Sequence, residues 1–294
     1  MESSIISQFI TPLAIVFIMF GMGLSLTLAD FKRVWVYPKV ILTGIFLQII
    51  CLPVLGFCFV SILNLEPILA TSIMLLSACP GGAITNLVSF ISKGDAALSV
   101  SLTAVNSLIT VVTIPLLVTF SITFFLGEKM AATVDALELS LGIILVTIPP
   151  IMLGMFTRKK APEFAQKSET SVKKGTIIFL VVLAVVAVYG EKQLFMDHYR
   201  SFMLLATGLC FISFFMGGLV SFMLGLPRRH ILTLAIEVGL HNSAMGIVIA
   251  ISFLGINALA IFAAFYLVTE YLLSGVLMVT MNSPLGVKLL GDEG

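Results

Sequence analysis

The sequence predicts an all-α polytopic membrane protein: nine transmembrane helices whose two halves carry matching interruptions, as in an inverted repeat. Three observations lead there. First, 59% of the 294 residues are hydrophobic and only 11% are charged, with a mean hydropathy of +1.16, whereas a soluble domain carries roughly 25% charged residues. Second, the charges fall between long intervals that contain none. Third, two of the predicted spans hold polar or helix-breaking clusters in mid-membrane.

A helix needs about 20 apolar residues to cross the hydrocarbon core. Charge-free intervals of that kind run over 3–29, 40–65, 67–92, 96–127, 139–157, 175–190 and 201–227. The stretch 231–287, interrupted only by Glu237 and Glu270, is long enough for two crossings that turn near Leu254-Gly255-Ile256-Asn257. The chain opens Met1-Glu2-Ser3-Ser4 without a basic region, so the first apolar segment is expected to be retained. Cys51, Cys58, Cys79 and Cys210 all lie inside apolar stretches and read as small buried hydrophobes.

Orientation follows from the asymmetry of basic residues. With the N-terminus outside, 13 of the 16 Lys and Arg fall on the inner side, among them Lys32, Arg33, Lys93, Lys159, Lys160 and Arg229; only Lys129, Lys192 and Arg200 remain outside. The predicted orientation is therefore N-terminus out and C-terminus cytoplasmic. Trp35, Tyr37, Tyr189 and Tyr199 sit where interfacial aromatics belong. A net charge of +1 with no clustered basic surface excludes nucleic acid as the main partner.

The third span contains Cys79-Pro80-Gly81-Gly82 followed by Thr85-Asn86, a run that removes an amide donor and loosens the backbone. An ordinary packing kink is the plain alternative. The eighth span contains Glu237-Val238-Gly239-Leu240-His241-Asn242-Ser243, where a carboxylate, an imidazole and an amide crowd one crossing. Each interruption sits in the middle helix of a three-helix group, and the two run in opposite directions. Discontinuous helices in inverted halves commonly meet near the midplane and form a binding site.

An intramembrane acid is costly and defaults to a functional role, so Glu237 is the leading candidate. Glu270 either lines a cavity, pairs with a neighbour or reaches the interface. His241, four residues after Glu237, is compatible with a plain hydrogen-bonded pair on one helix face. Ser99, Thr103 and Asn106 form one stripe of the fourth helix. That stripe is either interhelical glue or, if it converges with Glu237, a set of oxygen ligands for a hard cation.

These motifs resemble the bile acid:sodium symporter family in a bacterial, nine-helix form. The resemblance spans almost the whole chain: Phe20-Gly21-Met22-Gly23-Leu24, Tyr37-Pro38-Lys39, Gln48 with Pro53, the two interrupted motifs, and Lys93-Gly94-Asp95-Ala96-Ala97-Leu98-Ser99-Val100. It implies a core domain of helices 2–4 and 7–9, with the broken helices crossing, and a panel domain of helices 1, 5 and 6. The corresponding boundaries are 1–30 for panel helix 1, 39–127 for the first core half and 137–190 for panel helices 5 and 6, with a cytoplasmic loop at 158–174. The second core half follows at 200–282 and a cytoplasmic tail at 283–294.

By the same resemblance, one sodium site corresponds to Thr85, Asn86, Ser99, Thr103 and Glu237. A second corresponds to Gln48, Glu237 and the carbonyls of Val238 and Leu240, with His241 where the family has a glutamine. An imidazole offers no oxygen, so either sodium binds there more weakly or a proton replaces it. Substrate contacts correspond to Gly82, Ala83, Ile84, Asn242 and Ser243, near half-helix N-termini suited to an anion. The implied activity is sodium-coupled symport of an organic anion, bile-acid-like or a small carboxylate, in a bacterial inner membrane, with no cofactor beyond sodium as coupling ion and no catalysis.

Three other readings stay open at this level. One is a proton-coupled carrier using His241 and Glu237, and another an arsenite efflux carrier using Cys79. The third, more remote, is an intramembrane hydrolase with Ser274-Gly275 as nucleophile turn and His241 as base. The sequence holds no Walker A motif for direct drive by ATP. It also lacks the continuous polar lining of a channel.

Overall fold

A computed structural model describes residues 11–132, 134–168 and 192–284, together with positions 171, 175, 178, 182 and 185. The described residues are helical, with no strand. Six helices are long and apolar enough to cross a membrane, and two shorter apolar helices accompany them, so the chain is an integral membrane protein. Most of the predicted sixth span, 175–190, lies outside the described residues.

Helix α1 (Thr11–Ser25) packs along α7 (Ala136–Lys160). The approach is close enough that a Cβ at Gly23 would lie 2.3 Å from the Ile151 carbonyl oxygen, and one at Gly154 would lie 2.4 Å from that of Phe20. Small residues at a membrane crossing let backbones touch in this way. Arg158 closes the pair by donating to the Leu24 carbonyl at 2.7 Å.

Between α1 and the next span the chain forms α2 (Leu28–Val36), where the charge pattern predicts a loop. Asp30 accepts from both the backbone and the hydroxyl of Thr27, each at 2.7 Å, which starts the helix. Trp35 is exposed on it. The charges of this segment mark the membrane boundary; they do not stop a helix.

Helix α3 (Pro38–Ile62) carries a π-turn at Leu47–Cys51 that includes Gln48. Cys58 lies on its exposed face, contrary to the expectation of burial. The third predicted span is two helices, α4 (Pro67–Ala78) and α5 (Ala83–Ile91). Asp95 then caps α6 (Ala96–Leu126), accepting from the amides of Ala97 and Leu98 at 3.1 and 2.9 Å.

After α7, residues 162–168 are also helical, which shortens the expected 158–174 loop. Helix α8 (Lys192–Met223) begins nine residues before the predicted span, taking in Asp197 and Arg200. Helix α9 (Arg228–Gly239) is followed by an interruption at 240–242 and then α10 (Ser243–Val248), which runs on through a π-turn at Ile249–Phe253. A turn with Gly255 at φ +66° leads to α11 (Ala258–Met281). Beyond the first turn of α9, the α9–α10 segment is enclosed by protein, unlike the other long helices.

Candidate cation site at the paired helix breaks

Both interruptions are present and they meet. Cys79 and Gly82 are extended, and Leu240 leaves α9 in an extended conformation. The Asn242 amide donates to the Pro80 carbonyl at 2.7 Å, so one break satisfies a backbone group of the other. Asn242 also caps α10, its side-chain oxygen accepting from the Met245 amide at 3.0 Å. At the first break, the Thr85 hydroxyl donates to the Gly82 carbonyl at 2.8 Å.

Glu237, on the last turn of α9, is 1% exposed, and oxygen-bearing side chains from α5 and α6 surround its carboxylate. Ser99 donates to Oε1. Thr103 lies 3.2 Å from Oε1 and 3.1 Å from Oε2. Asn86 Oδ1 accepts from Ser99 at 2.9 Å and from Thr103 at 3.3 Å, and the Thr85 hydroxyl is 3.4 Å from that of Thr103. The five residues expected to form one cation site are thus brought together. Gly81 passes so close that a Cβ there would lie 2.7 Å from Glu237 Oε2.

Among the described residues no Lys or Arg pairs with this carboxylate. A buried ionised group without a counter-charge costs several kcal/mol. Hydroxyl, amide and carboxylate oxygens are the ligands a hard cation prefers, so this donor set fits a sodium-sized ion.

Beside it, Gln48 donates its side-chain amide to the Glu237 carbonyl and accepts from Asn106. Asn106 therefore serves Gln48, although the sequence groups it with Ser99 and Thr103. The π-turn around Gln48 carries that side chain into the core, where it is 4% exposed; such turns recur at functional positions.

His241 is not joined to Gln48. Its ring stacks at an angle on Tyr266 of α11, with centroids 4.9 Å apart, and the Val238 backbone is its hydrogen-bonding neighbour. Tyr266, which sequence reasoning passed over, donates to the Gly239 carbonyl at 2.7 Å. Its position four residues before Glu270 on the same helix face is the signal that would have found it.

Ser274 is buried and forms no hydrogen bond with His241, so no nucleophile and base pair is assembled. The Cys79 thiol turns back onto the Leu75 carbonyl at 3.3 Å. No group of three or more His, Cys, Asp or Glu gathers among the described residues as a soft-metal site would require.

Fold and site together define a polytopic membrane protein whose buried oxygen ligands gather where two interrupted helices meet. The sequence profile of the sodium/bile acid symporter family matches residues 12–198, and the chain belongs to that family. Among its relatives is the Arabidopsis thaliana protein named "Probable sodium/metabolite cotransporter BASS1, chloroplastic", 33% identical over 263 residues, covering 88% of this chain and 63% of the relative. The Bacillus subtilis "Uncharacterized sodium-dependent transporter YocS" is 29% identical over 83% of this chain and 74% of its own length. The human ileal sodium/bile acid cotransporter is 26% identical over 82% of this chain and 69% of its own length. The chain spans less than two thirds of three chloroplast relatives from Arabidopsis and rice, 63%, 59% and 54% of their lengths.

Proposed function

We propose that the protein is a secondary carrier that couples sodium to the movement of an organic anion, bile-acid-like or a small carboxylate, by alternating access. The observation that carries this reading is the ring of Ser99, Thr103, Asn86 and Thr85 around the unpaired, enclosed Glu237 carboxylate. Sodium is cargo here, held by those five residues. A second ion is held by Gln48, Glu237 and the carbonyls of Val238 and Leu240, with His241 contributing no oxygen.

The substrate's carboxylate sits against Gly82, Ala83, Ile84, Asn242 and Ser243, where the starts of α5 and α10 present amide groups and positive dipole ends. The chain is read as nine spans in an inverted repeat, N-terminus out, in a bacterial inner membrane. Helices 1, 5 and 6 form a panel beside a core made from the other six, with boundaries as predicted from the sequence. The glycine-packed α1–α7 pair supports that division. No catalytic step is assigned.

The test is two-part. Sodium, but not potassium or choline, should raise the melting temperature of the purified protein. A sodium gradient should then drive uptake of taurocholate or of a small carboxylate into proteoliposomes. Equal stabilisation by potassium and sodium would remove the cation assignment.

A further inference from the structure

The α11 face that meets the second break carries a polar cluster that the sodium site does not use. Tyr266, Glu270 and Ser274 follow one another at four-residue spacing on this helix and are each 1% exposed or less. Glu270 lies beside the Ser243 hydroxyl and the His241 amide, and its Oε2 has no hydrogen-bond partner. The Ser274 hydroxyl is also buried without a partner, the Ser243 hydroxyl has only Glu270 to bond, and the His241 ring has only the Val238 backbone. Among the described residues no Lys or Arg pairs with Glu270. The other titratable groups that feel its charge are Cys210 on α8 and Tyr266 and Tyr271 on α11.

Buried polar atoms are nearly always bonded in a native protein, and a cluster of exceptions asks for a missing partner. A cationic group that donates hydrogen bonds would complete this one, meeting the free Glu270 oxygen and favouring the ionised carboxylate. The contrast with Glu237 decides its chemistry. Glu237 is ringed by oxygens, whereas around Glu270 the Tyr266 hydroxyl is spent on Gly239 and the Thr269 hydroxyl on the Phe265 carbonyl and the Met203 sulfur. That leaves two serine hydroxyls, an imidazole and an aromatic face. A bare hard cation takes about six oxygens. A nitrogen acceptor and a π-face instead suit a group that carries N–H donors with its charge.

We propose that Glu270, Ser243, Ser274 and His241 form a subsite for a protonated amine on the substrate. This rests on the carrier reading above and narrows its substrate class to anions that also bear an ammonium group, such as amino acids or their derivatives. The carboxylate would meet the amides at the breaks and the ammonium would meet Glu270 on α11, which faces the second break.

The test compares matched probe pairs that differ only in the amine: alanine against lactate, phenylalanine against phenyllactate, and glutamate against 2-hydroxyglutarate. Each is titrated by thermal shift on the purified full chain in sodium and again in potassium. For at least one pair, the amine-bearing member should bind at least ten-fold more tightly to the wild type, and Glu270→Gln should erase that preference. Equal binding within every pair, or no binding by any amine-bearing probe, overturns the proposal. So does an amine-free stabilisation by potassium or lithium that disappears in Glu270→Gln, which would make the cluster an inorganic cation site. The wild-type comparison needs no variant, and Ser274→Ala, expected to weaken the preference, serves if Glu270→Gln does not fold. The sodium response separates the two readings. If sodium stabilises the wild type while the amine preference is missing, this inference alone fails; if sodium has no effect, the carrier reading fails first.

Discussion

Helix α7 contains Pro149 and Pro150 in its interior yet runs unbroken from Ala136 to Lys160, whereas α9 contains no proline and stops at Gly239. Proline content alone would place the break in the wrong helix. The difference is what surrounds them. Helix α7 turns Leu141, Leu145, Met152, Leu153 and Phe156 outward, so much of its backbone has only lipid beside it and must bond within the helix. The α9–α10 segment is enclosed, and protein groups replace the lost helical bonds. Cys210 and Tyr266 donate to the Gly239 carbonyl, and Pro80 accepts from Asn242. A helix can open where neighbours take over its backbone, and there the buried polar side chains gather.

The sharpest way to break this contrast is Glu237→Gln. It should abolish stabilisation by sodium, which at about 100 times the dissociation constant amounts to ~2.7 kcal/mol, while the protein stays folded. Titrating sodium against melting temperature measures it, and an unchanged sodium midpoint would return Glu237 to a packing role. Gly154→Leu probes the opposite region. Forcing a side chain against Phe20 and Gly23 should cost about 1–3 kcal/mol, lowering the melting temperature equally with and without sodium. A change in sodium midpoint would mean that the two regions are coupled.

Tyr266→Phe tests whether neighbours support the break. It removes the donor to the Gly239 carbonyl, leaving the weaker Cys210 thiol, and should cost about 0.5–1.5 kcal/mol with faster amide exchange at 239–243. Slow exchange identical to wild type would show that the break is held without it.

The smallest effect is expected outside the spans. His230 lies 3.3 Å from Asp95, and its hydrogen bond holds the Asp95 carboxyl below the usual value of 3.8. A lowered folded-state pKa adds stability above the unfolded value, and that stability is lost as pH falls through the folded one. Asp95→Asn keeps the helix cap and should cost ~0.2–1 kcal/mol near neutrality. Its difference from wild type should shrink only below the ordinary carboxylate range. A difference that vanishes by neutral pH would mean the charge has no stabilising role.

Charge-free intervals located the long helices well where lipid contact dictates composition: the fourth was expected over 96–127 and runs Ala96–Leu126. They misplaced ends wherever a helix continues beyond the hydrocarbon, as at Lys192 and across Leu28–Val36, because charge reports depth and leaves the backbone free to stay helical. The two breaks were legible from Pro80-Gly81-Gly82 and the Glu237–Ser243 cluster. Helical spacing raised the convergence of Ser99 and Thr103 on Glu237, but Thr85 and Asn86 joined the ring only through the family resemblance, since they lie on another helix. Neither the π-turn at Gln48 nor the pairing of Asn106 with it leaves a local pattern, because both depend on contacts between helices that periodicity within one helix does not encode.

The span of those contacts along the chain sets an order of events during synthesis. Glu237 is 138 residues from Ser99 and 189 from Gln48, so the first half enters the membrane with its hydroxyls and amides in place and no carboxylate to gather around. The polar cluster is completed only when Glu237 arrives, near the end of α9. Nascent chains released before residue 237 should contain α3 to α6 and show no sodium response. On the proposed site assignment, a bound sodium ion would hold together segments that the ribosome delivers well apart in time.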